Sequence, residues 1–130
     1  MSGLFIKANE TITITIFIAK DKNGNSMFNI LEEELLDKGV SKEEIKKEEI
    51  IFRKPSYRDN VQILNKAVTV QGDSVHVDPM LLRYNRFCTL LKSWTFKDED
   101  GNEIPANARY INDINTDLAN TILDELDKYS

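Results

Sequence analysis

Residues 10 to 20, ETITITIFIAK, alternate without a break: Ile12, Ile14, Ile16 and Ile18 point to one side, Thr11, Thr13, Thr15 and Phe17 to the other. A period of two over this length predicts a half-buried β-strand. DKNGN then supplies a turn at Asn23 and Gly24. SMFNIL fits either a returning strand or the start of a helix. Leu31, Leu35 and Leu36, with Gly39 just past Lys38, predict a helix over residues 30 to 38 that the glycine stops. Ser41 and Glu44 have the spacing of a capping box, which predicts a second short helix through KEEIKKEE, with Ile45 as its one buried candidate before Ile50. Pairs such as Glu43 with Lys47 add only about 0.2–0.5 kcal/mol each. This Glu/Lys-rich arm is therefore expected to be a mobile connector, or to be ordered by something else.

EEIIFR reads as a strand that Pro55 ends, and Ser56 with Asp59 marks a helix start. From there Tyr57, Val61, Leu64 and Val68 follow the 3.6-residue period and form the expected core stripe. VTVQGDSVHV predicts a hairpin about Gly72 and Asp73. Asp78 as N-cap and Pro79 at the first helical position open a helix expected to run through Trp94, with Met80, Leu81, Tyr84, Phe87, Cys88, Leu91 and Trp94 on its core arc. TFKDEDGNEIP reads as a second tight hairpin, and ANARYINDI as a short helical turn. The chain closes with a helix capped by Asn115 or Thr116, whose core face is Leu118, Ala119, Ile122, Leu123, Leu126 and Tyr129. The predicted fold class is α+β, a small single domain over residues 1 to 130. Residues 1 to 51 form the N-terminal strand and the arm; residues 52 to 130 form a mainly helical body in which short β-hairpins pack on a central core helix and an amphipathic closing helix.

Composition adds boundaries. At 130 residues, 41% hydrophobic and 30% charged, the chain can bury one core. No apolar run is long enough to span a bilayer, and MSGLFIKANE lacks the pattern of a signal peptide, so a soluble, intracellular protein is expected. The net charge of −5 argues against generic affinity for nucleic acid or anionic membrane. Its distribution is uneven: 7 basic and 10 acidic residues over 1 to 52, 8 and 3 over 53 to 97, 2 and 9 over 98 to 130.

Few residues suggest bond-making chemistry. His76 has no triad or metal box around it, Cys88 falls on an apolar arc where an unreactive thiol is the usual outcome, and Trp94 reads as a core plug. One Cys and one His supply no soft-ligand zinc set, and DEDGNE lacks the closing glutamate of a calcium loop, Arg109 standing at that position. No phosphate-binding glycine loop, HExxH or GxSxG occurs. No enzyme activity, cofactor or metal is expected.

The basic group Arg53, Lys54, Arg58, Lys66, Arg83 and Arg86 is the one constellation to single out, and two readings of it stand. Its cations either offset the acidic tail and arm internally, or present a partner surface. On the second reading Arg53, Lys54, Arg58, Leu82 and Arg86 form the partner-binding set, because Leu82 falls opposite the core arc beside Arg86 and would be an exposed apolar anchor among arginines.

Three segments, FRKPSYRD leading into a helix, DPMLLRYNRFCTLLKSW followed by a DG hairpin, and INDINTDLANTILDELDKY, together resemble the small tail assembly proteins of tailed bacteriophages, a group that includes tape-measure chaperones. The resemblance covers residues 52 to 129. It implies a non-enzymatic protein of the host cytoplasm, or of the virion, that binds a tail or other virion component by protein–protein contacts, in the manner of a groove receiving an amphipathic helix. The longer N-terminal part leaves room for a permanent structural role in the tail or baseplate. A different class of function is a small inhibitor of a host nucleic-acid-handling protein, its acidic tail imitating nucleic acid. The edge of the N-terminal strand would also invite pairing, which makes a homo-oligomer a further expectation.

Overall fold

In the computed structural model, which describes residues 4 to 129, the alternating segment is strand β1 (Thr11–Lys20). Ile12, Ile14 and Ile16 are buried on one face while Thr11 and Thr13 stay in solvent, as the period of two requires. Asp21–Asn25 turns the chain, with Gly24 at φ 81°, into β2 (Ser26–Asn29), which settles the ambiguous SMFN as a returning strand. Helix α1 (Glu32–Asp37) follows and ends at Gly39, whose φ of 89° is a conformation that costs other residues.

The Glu/Lys-rich segment departs from expectation. Ser41 makes no side-chain cap, a single 3-10 turn covers Lys42–Glu44, and Lys46–Arg53 is an eight-residue strand, β3, at the centre of the sheet. EEIIFR is a strand as expected; the departure is that the strand begins already at Lys46, so that Lys46 to Glu49 are not helical, because β1 offers a ladder running from Thr11 opposite Arg53 to Ile18 opposite Lys46. Tertiary pairing outweighs the few tenths of a kcal/mol that the helical ion pairs supply. The same register places Glu48, between Lys46 and Ile50, on the core side, where it is almost fully buried. A buried carboxylate needs partners. Lys46 Nζ stands at 3.4 Å and the Thr95 hydroxyl donates to Glu48, while Thr95 Oγ1 accepts from the Glu49 N–H at 2.8 Å. Thr95→Val is expected to lower the unfolding free energy by about 1 kcal/mol in urea titration, since it removes both hydrogen bonds at nearly constant shape.

Pro55 breaks the strand and Ser56 caps α2 (Tyr57–Asn65). The strands β4 (Val68–Gln71) and β5 (Ser74–Val77) form the expected hairpin about Gly72. Asp78 accepts from the Met80 and Leu81 N–H groups and opens α3 (Pro79–Leu90). That helix is shorter than its apolar arc predicts. At Leu91 the backbone turns extended, and Leu91–Trp94 becomes β6 on the free side of β3, with Ile50 opposite Trp94. Unpaired N–H and C=O groups along β3 would cost more than the last helical turn of α3 returns. The four-stranded antiparallel sheet thus has the order β2-β1-β3-β6.

A tight turn at Gly101, bridged at Lys97 and Glu103, leads through α4 (Ala108–Ile111) to α5 (Thr116–Leu126), which Asn115 caps. The main core lies between one sheet face and α2, α3 and α5: Ile14, Ile16, Ile50, Phe52, Ile63, Phe87, Leu90, Ile122 and Leu126 are its centre. Ala19 and Leu35 are buried outside that cluster, where α1 lies against β1 and β2. Of the core residues expected on α3 and the closing helix, three are exposed instead. Met80 sits in the first turn of α3, beyond the sheet; Tyr84 gives its hydroxyl to Asn112 Oδ1 at 2.6 Å; Tyr129 follows the change to a 3-10 turn at Asp127. The α+β class holds, in one core.

Candidate functional site

Helix α2 is fixed by its first turn. Ser56 accepts from the Asp59 N–H and Asp59 accepts from the Ser56 N–H, a capping box, and the same Asp59 carboxylate takes two bonds from Arg53, at 3.0 and 3.2 Å. Arg53 Nη2 also donates to the Thr89 carbonyl at 2.9 Å, so one guanidinium ties β3, α2 and α3 together. These bonds outweigh partial burial and hold the Asp59 carboxyl below its ordinary value of 3.8, the Arg53 hydrogen bonds being the main cause. Further along, the Asn85 amide reaches the Ile63 carbonyl at 3.4 Å.

This anchoring sets the rotation of α2 and overturns the stripe expected from the sequence. The line Asp59, Ile63 and Ala67 turns inward, with Ile63 and Ala67 buried. Tyr57, Val61 and Leu64, at the spacing i, i+4, i+7, therefore turn outward and stand 86%, 38% and 45% exposed. The helix has two apolar faces, and only one is used by the core. Periodicity alone favoured the stripe Tyr57, Val61, Leu64 and Val68, of which Val68 lies beyond the helix in β4; the signal that decides the matter is the Arg53–Asp59 pair, which no single-helix pattern contains.

The basic constellation divides in two. Arg53, Arg83 and Arg86 follow the internal reading: Arg83 Nη2 lies 2.8 Å from Asp124, and Arg86 is paired with Asp127. Arg83 and Arg86 bind α3 to the end of α5 and account for part of the acidic tail, while Arg53 pairs with Asp59. Lys54, Arg58 and Lys66 are exposed and form no ion pair among the described residues. Arg58 borders the outward stripe, with Lys54 before the helix and Lys66 at its C-cap. Leu82 is not the exposed anchor the sequence suggested. It is half-buried and packs against the main core, because α2 closes over that side of α3 and widens the apolar arc.

The hairpin that follows α2 adds a second outward apolar surface. Its register pairs Val68 with Val77 and Val70 with Val75, so all four valines share one face, with Thr69, Gln71, Ser74 and His76 on the other. Val70 and Val75, nearest the turn, are 69% and 66% exposed. His76 is thus a solvent-facing hairpin residue, Cys88 is half-buried against the core, and Trp94 packs on it with the indole N–H donated to the Ile104 carbonyl.

The clefts are of a different character. One of about 210 Å³ between α3, α4 and α5 is lined by Met80, Tyr84, Phe87, Ile111 and Leu123; another of about 430 Å³ lies between the Asp21 turn and Gly39. The first is lined mainly by apolar side chains; the second is open and lined by Lys20, Asp21, Lys22, Lys38 and Glu44. Among the described residues no three metal-ligating side chains converge, and no helix is long and apolar enough to cross a membrane. Comparison of the chain with family models, with curated proteins and with solved structures finds no match in any of the three.

Proposed function

We propose that this protein is a non-enzymatic tail assembly or virion protein of a tailed bacteriophage, which holds another tail component through protein–protein contacts. The observation that carries the reading is the outward stripe of α2: Tyr57, Val61 and Leu64 are exposed on a helix whose inner face is already satisfied, beside cations left without an internal partner. A contiguous apolar strip rimmed by like charge is what a docking helix requires. The partner that fits is an amphipathic helix whose apolar face is flanked by Asp or Glu, offering area to the stripe and opposite charge to Arg58 at its border. The resemblance of residues 52 to 129 to tail assembly proteins supplies the setting: a helical tail protein held in the host cytoplasm, with retention in the virion as the structural variant of the same role.

The test is coexpression with the tail proteins encoded beside it, followed by affinity capture and titration of the captured partner. Leu64→Asp and, separately, Arg58→Glu are each expected to weaken the complex at least tenfold, about 1.4 kcal/mol. Both positions are exposed, so melting should be unchanged. Reversing Arg53 or Arg86 is uninformative about docking, because it breaks internal pairs. A complex indifferent to both α2 substitutions refutes the stripe as the contact surface, and failure to capture any tail protein refutes the setting.

A further inference from the structure

The outer edge of β1 is half empty. Glu10 accepts from the Lys54 N–H at 3.0 Å, so in β1 the even-numbered residues direct their N–H and C=O groups to β3 and the odd-numbered ones to the opposite edge. On that edge β2 occupies only Phe17 to Lys20, in a ladder that the Asp21 to Asn25 bond of 2.8 Å extends. The outward backbone groups of Thr11, Thr13 and Thr15 have no partner among the described residues. Thr11 and Thr13 are exposed and Thr15 half-buried. Between Thr11 and Ala19 there is no proline and no charge, and the β1–β3 register runs without a bulge, whereas the devices that blunt natural sheet edges are charge, proline and bulges.

We infer that this edge pairs with the same edge of a second copy of the chain, antiparallel about a two-fold axis through Thr13. Only registers that oppose odd with odd residues join outward groups to outward groups. The one centred on Thr13 sets Thr13 opposite Thr13 and Thr11 opposite the second copy's Thr15, and pairs all the free N–H and C=O groups. It also stacks threonine across from threonine on the solvent face and Ile12 across from Ile14 on the core face, both favourable cross-strand pairs. Because the paired segment carries no charge, two copies of an acidic chain meet there without repulsion between facing side chains.

The neighbouring backbone fits the same register. The second copy's β2 begins at the level of Asn9, and there the first chain already leaves the strand line: the Glu10 N–H donates to the Lys7 carbonyl at 3.1 Å and Glu10 Oε2 accepts from the Lys7 N–H at 2.8 Å. That turn clears space for the incoming strand. Leu4, Phe5 and Ile6, just before this turn, are exposed and so available to add apolar area that hydrogen bonds alone do not supply. The pairing does not use α2, so it is independent of the docking surface proposed above.

The experiment is sedimentation equilibrium of the full chain, with Thr13→Lys and Thr13→Pro compared with the parent. The parent is expected to be a dimer. Thr13→Lys, which sets two cations face to face at the axis, should raise the dimer dissociation constant at least tenfold with unchanged circular dichroism, and Thr13→Pro should do the same by removing an outward N–H that no internal bond uses. Should the proline variant fail to fold, the lysine variant decides. Register is read by oxidation in a Cys88→Ser background: Thr13→Cys should cross-link with itself and Thr11→Cys should not. A parent that is monomeric throughout the accessible concentration range overturns the inference, as does a dimer insensitive to both substitutions at Thr13.

Discussion

Phe87→Ala is expected to lower the unfolding free energy by about 3–5 kcal/mol, the usual cost of emptying a fully buried aromatic site. Phe87 projects from the middle of α3 onto β3, where its ring meets that of Phe52 edge to face, centroids 5.4 Å apart and planes at 69°. Both rings are buried completely, and Ile50, Ile63 and Leu90 belong to the same cluster. The loss therefore combines transfer free energy, a cavity that a sheet on one side and two helices on the other cannot close, and the aromatic pair itself at about 0.5–1.5 kcal/mol. A domain of this size has about 5–15 kcal/mol in total, so the variant should be near its threshold at room temperature. Urea titration followed by circular dichroism measures the effect directly. Phe87→Leu, which keeps most of the volume, should recover more than half of it.

The second large effect is at Asp59. Asp59→Ala removes the reciprocal cap of α2 and leaves Arg53 half-buried without its carboxylate, for which about 2–3 kcal/mol is expected. The contribution depends on pH with a definite sign. The folded-state pKa is held below the ordinary 3.8, so the stabilisation is fully present above that value and is lost as pH falls through the lower folded-state value. Asp59→Asn should accordingly be less stable than the parent at neutral pH, and the gap should narrow as the solution is acidified below about pH 4. Melting curves of both proteins along an acid series test this; a gap constant down to the acid end of the series would mean that the carboxylate charge plays no part.

How far the sequence could be read depended on whether the deciding contact was local. The alternation of β1, the Asp78–Pro79 start of α3, the Ser56 cap and the glycine stop of α1 are written within a few residues of where they act, and each is where it was expected. Apart from Met80 and Tyr129, which sit at helix ends, the failures involve a partner distant in the chain. KEEIKKEE looks helical by its charges until β1, some thirty residues earlier, offers its second half, Lys46 to Glu49, a ladder that extends the expected strand EEIIFR. The apolar arc of α3 continues through Leu91 and Trp94, yet those residues follow the free edge of β3. In α2 the longer apolar stripe faces out because Arg53 and Asp59 rotate the helix, and for the same reason Leu82, read as an exposed anchor, is covered. At the candidate site, the cations on either side of and within α2 were visible in the sequence. Which of them remain unpaired was not, since that depends on the carboxylates α5 brings to Arg83 and Arg86.

The place of β3 between β1 and β6 has a consequence for synthesis. A nascent chain can pair β1 with β3 as soon as the first half has left the ribosome, but the second side of β3 waits for residues 91 to 94, and the lid of the core, α5, is the last helix made. Until then α2 and α3 can reach Ile50 and Phe52, but the part of the sheet that α5 covers along β1 stays open. The chain is thus committed to maturing late, and a prematurely terminated product ending before Leu91 would carry a sticky strand and an open oily face into the cell.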